Sequence, residues 1–230
     1  MILAGWAAWE PLATFPLPTG FFLRRSLKRH SMETILAICI GLGLSAACGF
    51  RVFVPLFGIS LAAHAGHLTL ASDFQWLGSH AALLALGIAT VLEISGYYVP
   101  WLDHFLDTVS TPAAILAGTI VSASVMTDMS PFLRWSLAVI AGGGLAAAVQ
   151  STTVLTRAAS TLTTAGLANP LVATLELGGS ALFTLLAILA PFLAILAIIL
   201  SVGMVTVLVA SRRRKLSRPS TANINSAQII

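Results

Sequence analysis

The stretch ETILAICIGLGLSAACGFRVFVP, residues 33–55, decides the fold of this chain. After Glu33 it contains one charged residue, Arg51, which closely follows Gly49 and lies four residues before Pro55. Proline removes a backbone hydrogen bond from a helix, and a break inside a lipid layer is tolerated only where protein or water satisfies the freed groups. The stretch therefore predicts a membrane helix that is interrupted within the bilayer and holds a cation at the interruption.

The composition of the whole chain indicates a polytopic membrane protein. Of 230 residues, 57% are hydrophobic and 9% are charged, whereas soluble domains carry about 25% charged residues. Of the twelve Lys and Arg residues, four lie at 24–29 and five at 212–218. Basic clusters beside apolar segments mark the cytoplasmic side, so we expect both termini in the cytoplasm and an even number of crossings.

Nucleic-acid binding and cysteine chemistry are not expected. RRSLKRH (24–30) and RRRK (212–215) adjoin hydrophobic segments rather than a folded basic face, so we expect no nucleic acid partner. Cys39 and Cys48 lie inside the first apolar segment, with neither a CxxC spacing nor a neighbouring His. We interpret both as packing residues, and we expect no disulfide, no metal site and no cofactor.

The N-terminal residues differ from the rest of the chain. Pro11, Pro16 and Pro18 forbid a long helix, and the basic residues follow the apolar region instead of preceding it as in a secretory signal. Our hypothesis is that the fold begins at Met32. We expect a poorly ordered N-terminal extension over 1–31, a transmembrane domain over 32–211 and a basic cytoplasmic tail over 212–230.

The remaining chain predicts an all-α fold. The apolar runs 34–65 and 180–210 are each too long for one upright crossing, at about 1.5 Å per residue across a core of about 30 Å. The Ser- and Thr-rich segment 151–166 suits a re-entrant or interior position. A capping residue followed by Pro marks a helix start, and such pairs occur at Thr111–Pro112, Ser130–Pro131 and Asn169–Pro170. We predict a polytopic transmembrane helical bundle with discontinuous or re-entrant helices and about six membrane-embedded segments.

Two stretches share a loose outline of helix, glycine, polar residue, proline and helix. They are residues 34–56 and 153–175. Paired broken helices in corresponding halves are typical of transporters that bind substrate near the bilayer midplane. We interpret the pair as a weak inverted repeat.

Four ionisable residues fall within or beside apolar runs, namely Arg51, Glu93, Arg157 and Glu176. An uncompensated ion there costs about 2.5–3.5 kcal/mol on insertion scales, so they must be paired, face water or, for the carboxylates, be protonated. Their pairing could serve binding or only lock the helices together. Arg51 beside a broken helix, with the helix start at Asn169, favours an anionic carboxylate or phosphate. We therefore expect substrate binding by Arg51, Asn169, Arg157 and Glu176.

The carboxylates suggest two further roles. We expect Glu93, Asp103 and Asp107, and also Glu176, to couple a cation or a proton. Asp103 and Asp107, with His104 between them, could instead hold a divalent metal for phosphoryl transfer. Intramembrane alcohol phosphotransferases use such a DxxxD pair, but theirs follows an Asp-Gly and an Ala-Arg that this chain lacks. We therefore do not expect an enzyme.

The sequence also predicts residues for the membrane surface. An aromatic belt is expected at Tyr97, Tyr98 and Trp101. Solvated loop charges are expected at Asp73, Asp128 and Arg134.

Four stretches carry a resemblance to a known family. They are GLGLSAACGFRVFVPL (41–56), EISGYYVPWLDHFLDTVSTPAA (93–114), GTIVSASVMTDMSPFLRW (118–135) and GLANPLVATLELGGS (166–180). Through them the chain resembles an uncharacterised bacterial integral membrane family, the domain of unknown function 4126. The resemblance covers roughly Met32 to Ala210. It implies a multi-pass protein of the bacterial inner membrane and brings no known substrate, cofactor or catalytic residue.

These observations lead to one expected function and one rival. We expect a small membrane transporter, or a lipid or anion translocator, with a polar midplane site around Arg51 and buried carboxylates. Its partners would be membrane lipids and an unidentified small anionic or lipid substrate, and a chain of this size would form a homo-oligomer. The rival is a non-transporting membrane scaffold whose GxG and GGG faces drive oligomerisation.

Overall fold

The computed structural model describes residues 19–216, and all regular elements in that range are helical. The α-helices are α1 (Thr19–Cys48), α2 (Phe53–His64), α3 (His80–Gly96), α4 (Pro100–Val125), α5 (Pro131–Leu137), α6 (Gly144–Thr164), α7 (Asn169–Leu189) and α8 (Pro191–Leu216). A 3₁₀ helix, Ser72–Gly78, precedes α3, and a π-helical segment, Ala138–Gly143, joins α5 to α6.

The helices have the length and apolarity of membrane spans, which confirms the predicted fold class. Within the described residues four stretches are long enough to cross a bilayer: Ser31–Cys48, Thr108–Val125, Pro131–Thr164 and Asn169–Leu189. The 3₁₀ helix and α3, bent by 66°, form a fifth if they are taken together. Two shorter apolar helices, Phe53–His64 and Pro191–Met204, complete the set. The expected number of about six embedded segments agrees with this arrangement.

The predicted interruption near Arg51 is confirmed. Helix α1 ends at Cys48 and α2 begins at Phe53. Pro191 divides the last long apolar run in the same way, because α7 ends at Leu189 and α8 begins at Pro191. Ser130 also caps a helix as expected, since its Oγ accepts a hydrogen bond from the Leu133 amide at 3.4 Å.

Two expectations about the helices are wrong. Pro112 does not start a helix but lies inside α4. The proline in the first turn of this helix is Pro100. The Ser- and Thr-rich segment is not re-entrant, because α6 runs through it without interruption. Its hydroxyls do donate to their own helix backbone four residues earlier, as at Ser151 and Thr156. The segment is partly interior, since Thr153 and Arg157 are buried whereas Ser151 is exposed.

The course of the chain fixes two ends of the bundle. Glu33 and Asp128 line one shared cavity, so the apolar part of α1, which begins at Ser31, starts where α4 ends and α5 begins; we call this the Arg134 end. Helix α6 ends and α7 starts at the opposite end, which we call the Asn169 end.

Helices α1 and α8 run in the same direction. A Cβ on Gly43 would lie 3.1 Å from that of Ala194, and Phe50 shares a cavity with Thr206. The basic residues 24–29 and 212–215 therefore belong to opposite ends of the bundle. This course does not fit the expectation that both clusters lie on one side of a membrane.

The two stretches proposed as a repeat are both helix–break–helix units, but they also run in the same direction. Gly49 of α1 faces Val149 of α6, and Gly58 of α2 faces Thr184 of α7. A repeat between them is therefore parallel rather than inverted.

Small residues let α1 approach its neighbours closely at the centre of the bundle. A Cβ on Gly49 would lie 2.5 Å from the Cβ of Val149, and one on Gly118 would lie 2.6 Å from that of Ala146. Ser45, fully buried, donates to the Gly118 carbonyl at 2.7 Å. The close packing of α1 against α4 and α6 holds the interruption after Cys48 inside the protein.

Candidate functional site

Glu93 closes the interruption between α1 and α2. The first amides of a helix have no partner within the helix, and inside a bundle they need another acceptor. The Val52 amide donates to Glu93 Oε1 at 2.8 Å, and the Phe53 amide donates to Oε2 at 3.0 Å. A carboxylate at a helix N-terminus is also favoured by the helix dipole. Glu93 therefore caps α2 from α3 with both of its oxygens.

Arg51, next to these amides, is buried, with 2% of its surface exposed. Its Nη2 donates to the Ala173 carbonyl of α7 at 2.9 Å and lies 3.6 Å from Glu176 Oε2. The guanidinium carbon lies 3.6 Å from the centre of the Tyr97 ring. Two other nitrogens of the group, Nε and Nη1, are buried with no hydrogen-bond partner among the described residues.

Arg157, on α6, binds the same carboxylate more directly. Its Nε donates to Glu176 Oε1 at 2.9 Å and to Oε2 at 3.2 Å, and its Nη2 also donates to Oε2. Its guanidinium carbon lies 4.3 Å from the centre of the Tyr97 ring. The two arginines thus share one carboxylate and one aromatic ring. We call Arg51, Tyr97, Arg157 and Glu176 the Arg51 cluster.

The cluster lies within the length of a membrane-spanning helix. At about 1.5 Å per residue, Glu176 is about 10 Å along α7 from Asn169 and about 20 Å from Leu189. Helix α7 is one of the stretches long enough to cross a bilayer. The cluster is therefore about one third of the way along this span, nearer the Asn169 end.

A groove between α6, α7 and α8 reaches the cluster. Its inner part, of ≈ 200 Å³, is lined by Phe50, Thr152, Thr153, Thr156, Val172, Leu175 and Glu176. Its outer part, of ≈ 230 Å³, is lined by Phe50, Leu145, Ala148, Val149, Thr152, Ser201, Val202 and Thr206. Phe50 and Thr152 line both parts, so the two cavities are neighbours along α6. Glu176 is the member of the Arg51 cluster that forms the wall of this groove.

The other predicted site residues lie on α7 and α4. Asn169 is buried one turn before Ala173, but its Nδ2 donates to Thr161 Oγ1 at 3.3 Å, and Ala168 rather than Asn169 is the N-cap of α7. A binding role for Asn169 at the start of α7 stays a prediction. Asp103 and Asp107 lie in the first turns of α4, and their side chains fall outside the described part of the structure.

Sequence reasoning missed Tyr97, which was expected in an aromatic belt. Tyr97 is buried, with 6% of its surface exposed, and it stacks on Arg51. Its position four residues after Glu93 places both on one helical face, a signal that could have linked them. Its neighbour Tyr98 is exposed and exchanges a hydrogen bond of 2.9 Å with Thr174.

Arg134 was expected to be a solvated loop charge and is instead buried at the end of the bundle named after it. Its Nη2 donates to Asp73 Oδ2, and the guanidinium faces the Phe74 ring at 5.9 Å. It resembles Arg51 in burial and in having an aromatic neighbour. Its ion pair with Asp73 lies at the Arg134 end, whereas the Arg51 cluster lies nearer the Asn169 end.

These features define the chain as an all-helical polytopic membrane protein with an ion-pair cluster inside its helix bundle. Residues 38–211 match the family described as Domain of unknown function (DUF4126), and the chain belongs to this family. Searches of curated proteins and of solved structures gave no match.

Proposed function

We propose that this protein is a membrane transporter for an anionic substrate, with the Arg51 cluster as its binding centre. The observation that carries the proposal is the buried guanidinium of Arg51, which has two nitrogens without a hydrogen-bond partner among the described residues. Buried N–H groups of a cation are costly to leave unpaired. An anionic oxygen supplied by a substrate would satisfy them.

The unpaired hydrogen-bond donors of Arg51 support an anion rather than a cation. Arg51 and Arg157 together approach one carboxylate, that of Glu176. The other nearby carboxylate, Glu93, has both oxygens bonded to backbone amides of α2. Within the described residues no carboxylate is hydrogen-bonded to Arg51, and a substrate oxyanion would form charge-assisted hydrogen bonds with its two unpaired nitrogens.

Competition for Glu176 gives this site a coupling step. In the structure, both carboxylate oxygens of Glu176 accept hydrogen bonds from Arg157. A proton on Glu176 would remove its negative charge and release both guanidinium groups to a substrate anion. Proton and anion would then load together, and Glu176 would serve as the coupling residue through its ion pair.

The scaffold remains the rival, but its expected surfaces are used within the chain. Gly41 and Gly43 pack against α4, α7 and α8, and Gly142 and Gly143 pack against α4. Within the GGG stretch, residues 142–144, only a Cβ added to Gly144 would meet no atom within 4 Å. Oligomerisation through these glycine faces is therefore not favoured, although a cluster that only locks helices is still a distinct alternative to transport.

Location and assembly are proposed on the same basis. Large apolar side chains such as Leu84, Ile88 and Leu182 are exposed on the helices, as lipid contact requires. We place the protein in a bacterial inner membrane as a homo-oligomer. Only one of its two basic ends would face the cytoplasm, because α1 and α8 run in parallel.

The test compares Arg51→Ala with Arg134→Ala, which removes another buried arginine from a different ion pair. Both variants are purified, checked for monodispersity and thermal unfolding, and reconstituted in liposomes. Uptake of labelled inorganic phosphate and of acetate is measured with and without an inward proton gradient. We expect Arg51→Ala to lose at least tenfold in uptake while Arg134→Ala keeps it. Equal uptake by both folded variants, or no anion uptake by the wild type, would overturn the proposal.

A further inference from the structure

The groove beside the Arg51 cluster changes character along its length. Its outer part has mainly apolar side chains, including Leu145, Val149 and Val202, with the hydroxyls of Thr152, Ser201 and Thr206 among them and no charged residue. Its inner part carries three threonines and ends at Glu176. A small soluble ion would have no use for the apolar part, whereas a molecule with a hydrocarbon chain and a polar head would contact both.

We propose that the groove holds one acyl chain of an anionic phospholipid, with its phosphate at the Arg51 cluster. This inference rests on the proposed function and names the substrate class of the same site. The groove extends along α6 from Leu145 to Thr156, about 16 Å at about 1.5 Å per residue. Ligand sites are mostly apolar with a few polar groups at one place, as found here.

The polar end of the groove specifies the headgroup further. The hydroxyls of Thr152 and Thr156 donate to their own helix carbonyls, at 3.2 and 2.9 Å, so their oxygens remain as acceptors toward the groove. Thr153 does the same at 2.8 Å. The threonine oxygens at the wall can accept hydrogen bonds and therefore favour a headgroup with hydrogen-bond donors. The guanidinium groups of Arg51 and Arg157, behind Glu176, favour a phosphate. A phosphodiester lipid with headgroup hydroxyls, such as phosphatidylglycerol, supplies both.

Phe50 connects the two halves of the proposed site. It lines both parts of the groove, stacks on Phe183 with ring centres 5.8 Å apart, and directly precedes Arg51 in the chain. A lipid chain in the groove would therefore touch the interrupted segment that also carries the binding cation. Its headgroup would approach Arg157 and Arg51 by replacing the carboxylate of Glu176.

The test blocks the apolar part of the groove without touching the charges. Ala148→Trp fills the outer part from α6, and Val202→Trp fills it independently from α8. Leu155→Trp is the matched control, since Leu155 is 70% exposed on α6 and does not line the groove. Each variant is incubated in detergent with phosphatidylglycerol or phosphatidylcholine of the same acyl chains, and lipid retention is measured by native mass spectrometry. Binding of inorganic phosphate is measured by calorimetry.

We expect wild type and Leu155→Trp to retain phosphatidylglycerol at least tenfold over phosphatidylcholine, and the two groove variants to lose this preference. All four proteins should bind inorganic phosphate equally. Equal retention of the two lipids by the wild type, or full retention of phosphatidylglycerol by a folded groove variant, would overturn the lipid assignment. If the wild type still binds inorganic phosphate, the proposed function stands. Equal retention of the two lipids by the wild type, together with no binding of inorganic phosphate, would instead refute the proposed function.

Discussion

Arg51 and Tyr97 lie in stacked contact, with the guanidinium carbon 3.6 Å from the centre of the ring. Arg51 follows the end of α1, and Tyr97 follows the end of α3, so the contact joins two segment ends inside the bundle. A cation over an aromatic face is worth about 2 kcal/mol or more when it is desolvated. The ring therefore stabilises a charge for which water is not accessible.

Replacement of the ring measures this contribution. We expect Tyr97→Leu to lower the free energy of unfolding by about 2 kcal/mol, because it removes the aromatic face from the guanidinium. Tyr97→Phe keeps the face and should lose less. Chemical denaturation in detergent provides the comparison. Equal losses in the two variants would show that the ring face does not stabilise Arg51.

Removal of the cap at the interruption should loosen α2. Glu93→Ala leaves the Val52 and Phe53 amides without their acceptor, at a cost of about 1–3 kcal/mol for each unsatisfied group. Glu93→Gln keeps one acceptor oxygen and should lie between wild type and Glu93→Ala. Hydrogen exchange of the peptide covering the start of α2 measures the effect. Unchanged exchange in Glu93→Ala would contradict the capping role.

The shared carboxylate predicts strong coupling between α6 and α7. Glu176→Gln removes the carboxylate that Arg157 and Arg51 share, and breaking a buried ion pair costs about 3–5 kcal/mol. Adding Arg157→Gln to Glu176→Gln also removes the cation that this carboxylate neutralised, so the double variant should lose less than the sum of the single variants. A double-mutant cycle of unfolding free energies measures this difference. Additive losses would mean that the two residues do not act as a pair.

Glycine packing at the interruption can be tested with a closely matched control. Gly49→Ala would place a Cβ 2.5 Å from that of Val149, whereas Gly144→Ala meets nothing within 4 Å. We expect Gly49→Ala to lower the thermal midpoint in detergent. Gly144→Ala should leave it unchanged or raise it slightly, since Ala is the better helix former by about 1 kcal/mol. The reverse order would refute the close approach of α1 to α6.

The parallel course of α1 and α8 predicts the membrane topology. With Cys39 and Cys48 replaced by Ala, single cysteines are introduced by Ser31→Cys before the first span and by Ser211→Cys near the end of α8. A membrane-impermeant maleimide applied to intact and to inverted vesicles should label the two positions from opposite sides. Labelling of both from the cytoplasmic side would restore the expectation drawn from the basic clusters and would contradict the course of the chain described above.

The local features of the fold could be predicted from the sequence. Hydrophobicity and the missing proline amide act within a few residues. They predict the helical fold class, the interruption at Arg51 and the helix starts at Pro131 and Pro191. Thr111–Pro112 failed because a proline inside a long helix can be tolerated where neighbouring helices support it.

The site itself depends on distant pairs and was predicted less well. That Arg51, Arg157 and Glu176 need partners follows from the cost of burying charge. Which partners they find does not, since Arg51 meets Ala173 and Glu176 from the other half of the chain. The role of Glu93 in coupling an ion stays a prediction, and its bonds to amides 41 and 40 positions earlier were not foreseen. No pattern within α3 specifies that contact.

The π-helical segment Ala138–Gly143 determines where Arg157 points. A π turn closes over five residues instead of four, so it inserts one residue into the helix, and one residue corresponds to about 100° of rotation. All side chains that follow, including Arg157 about 20 Å further along, are rotated by this angle relative to α5. Without the extra residue of the π turn, the guanidinium of Arg157 would be turned by about 100° away from Glu176.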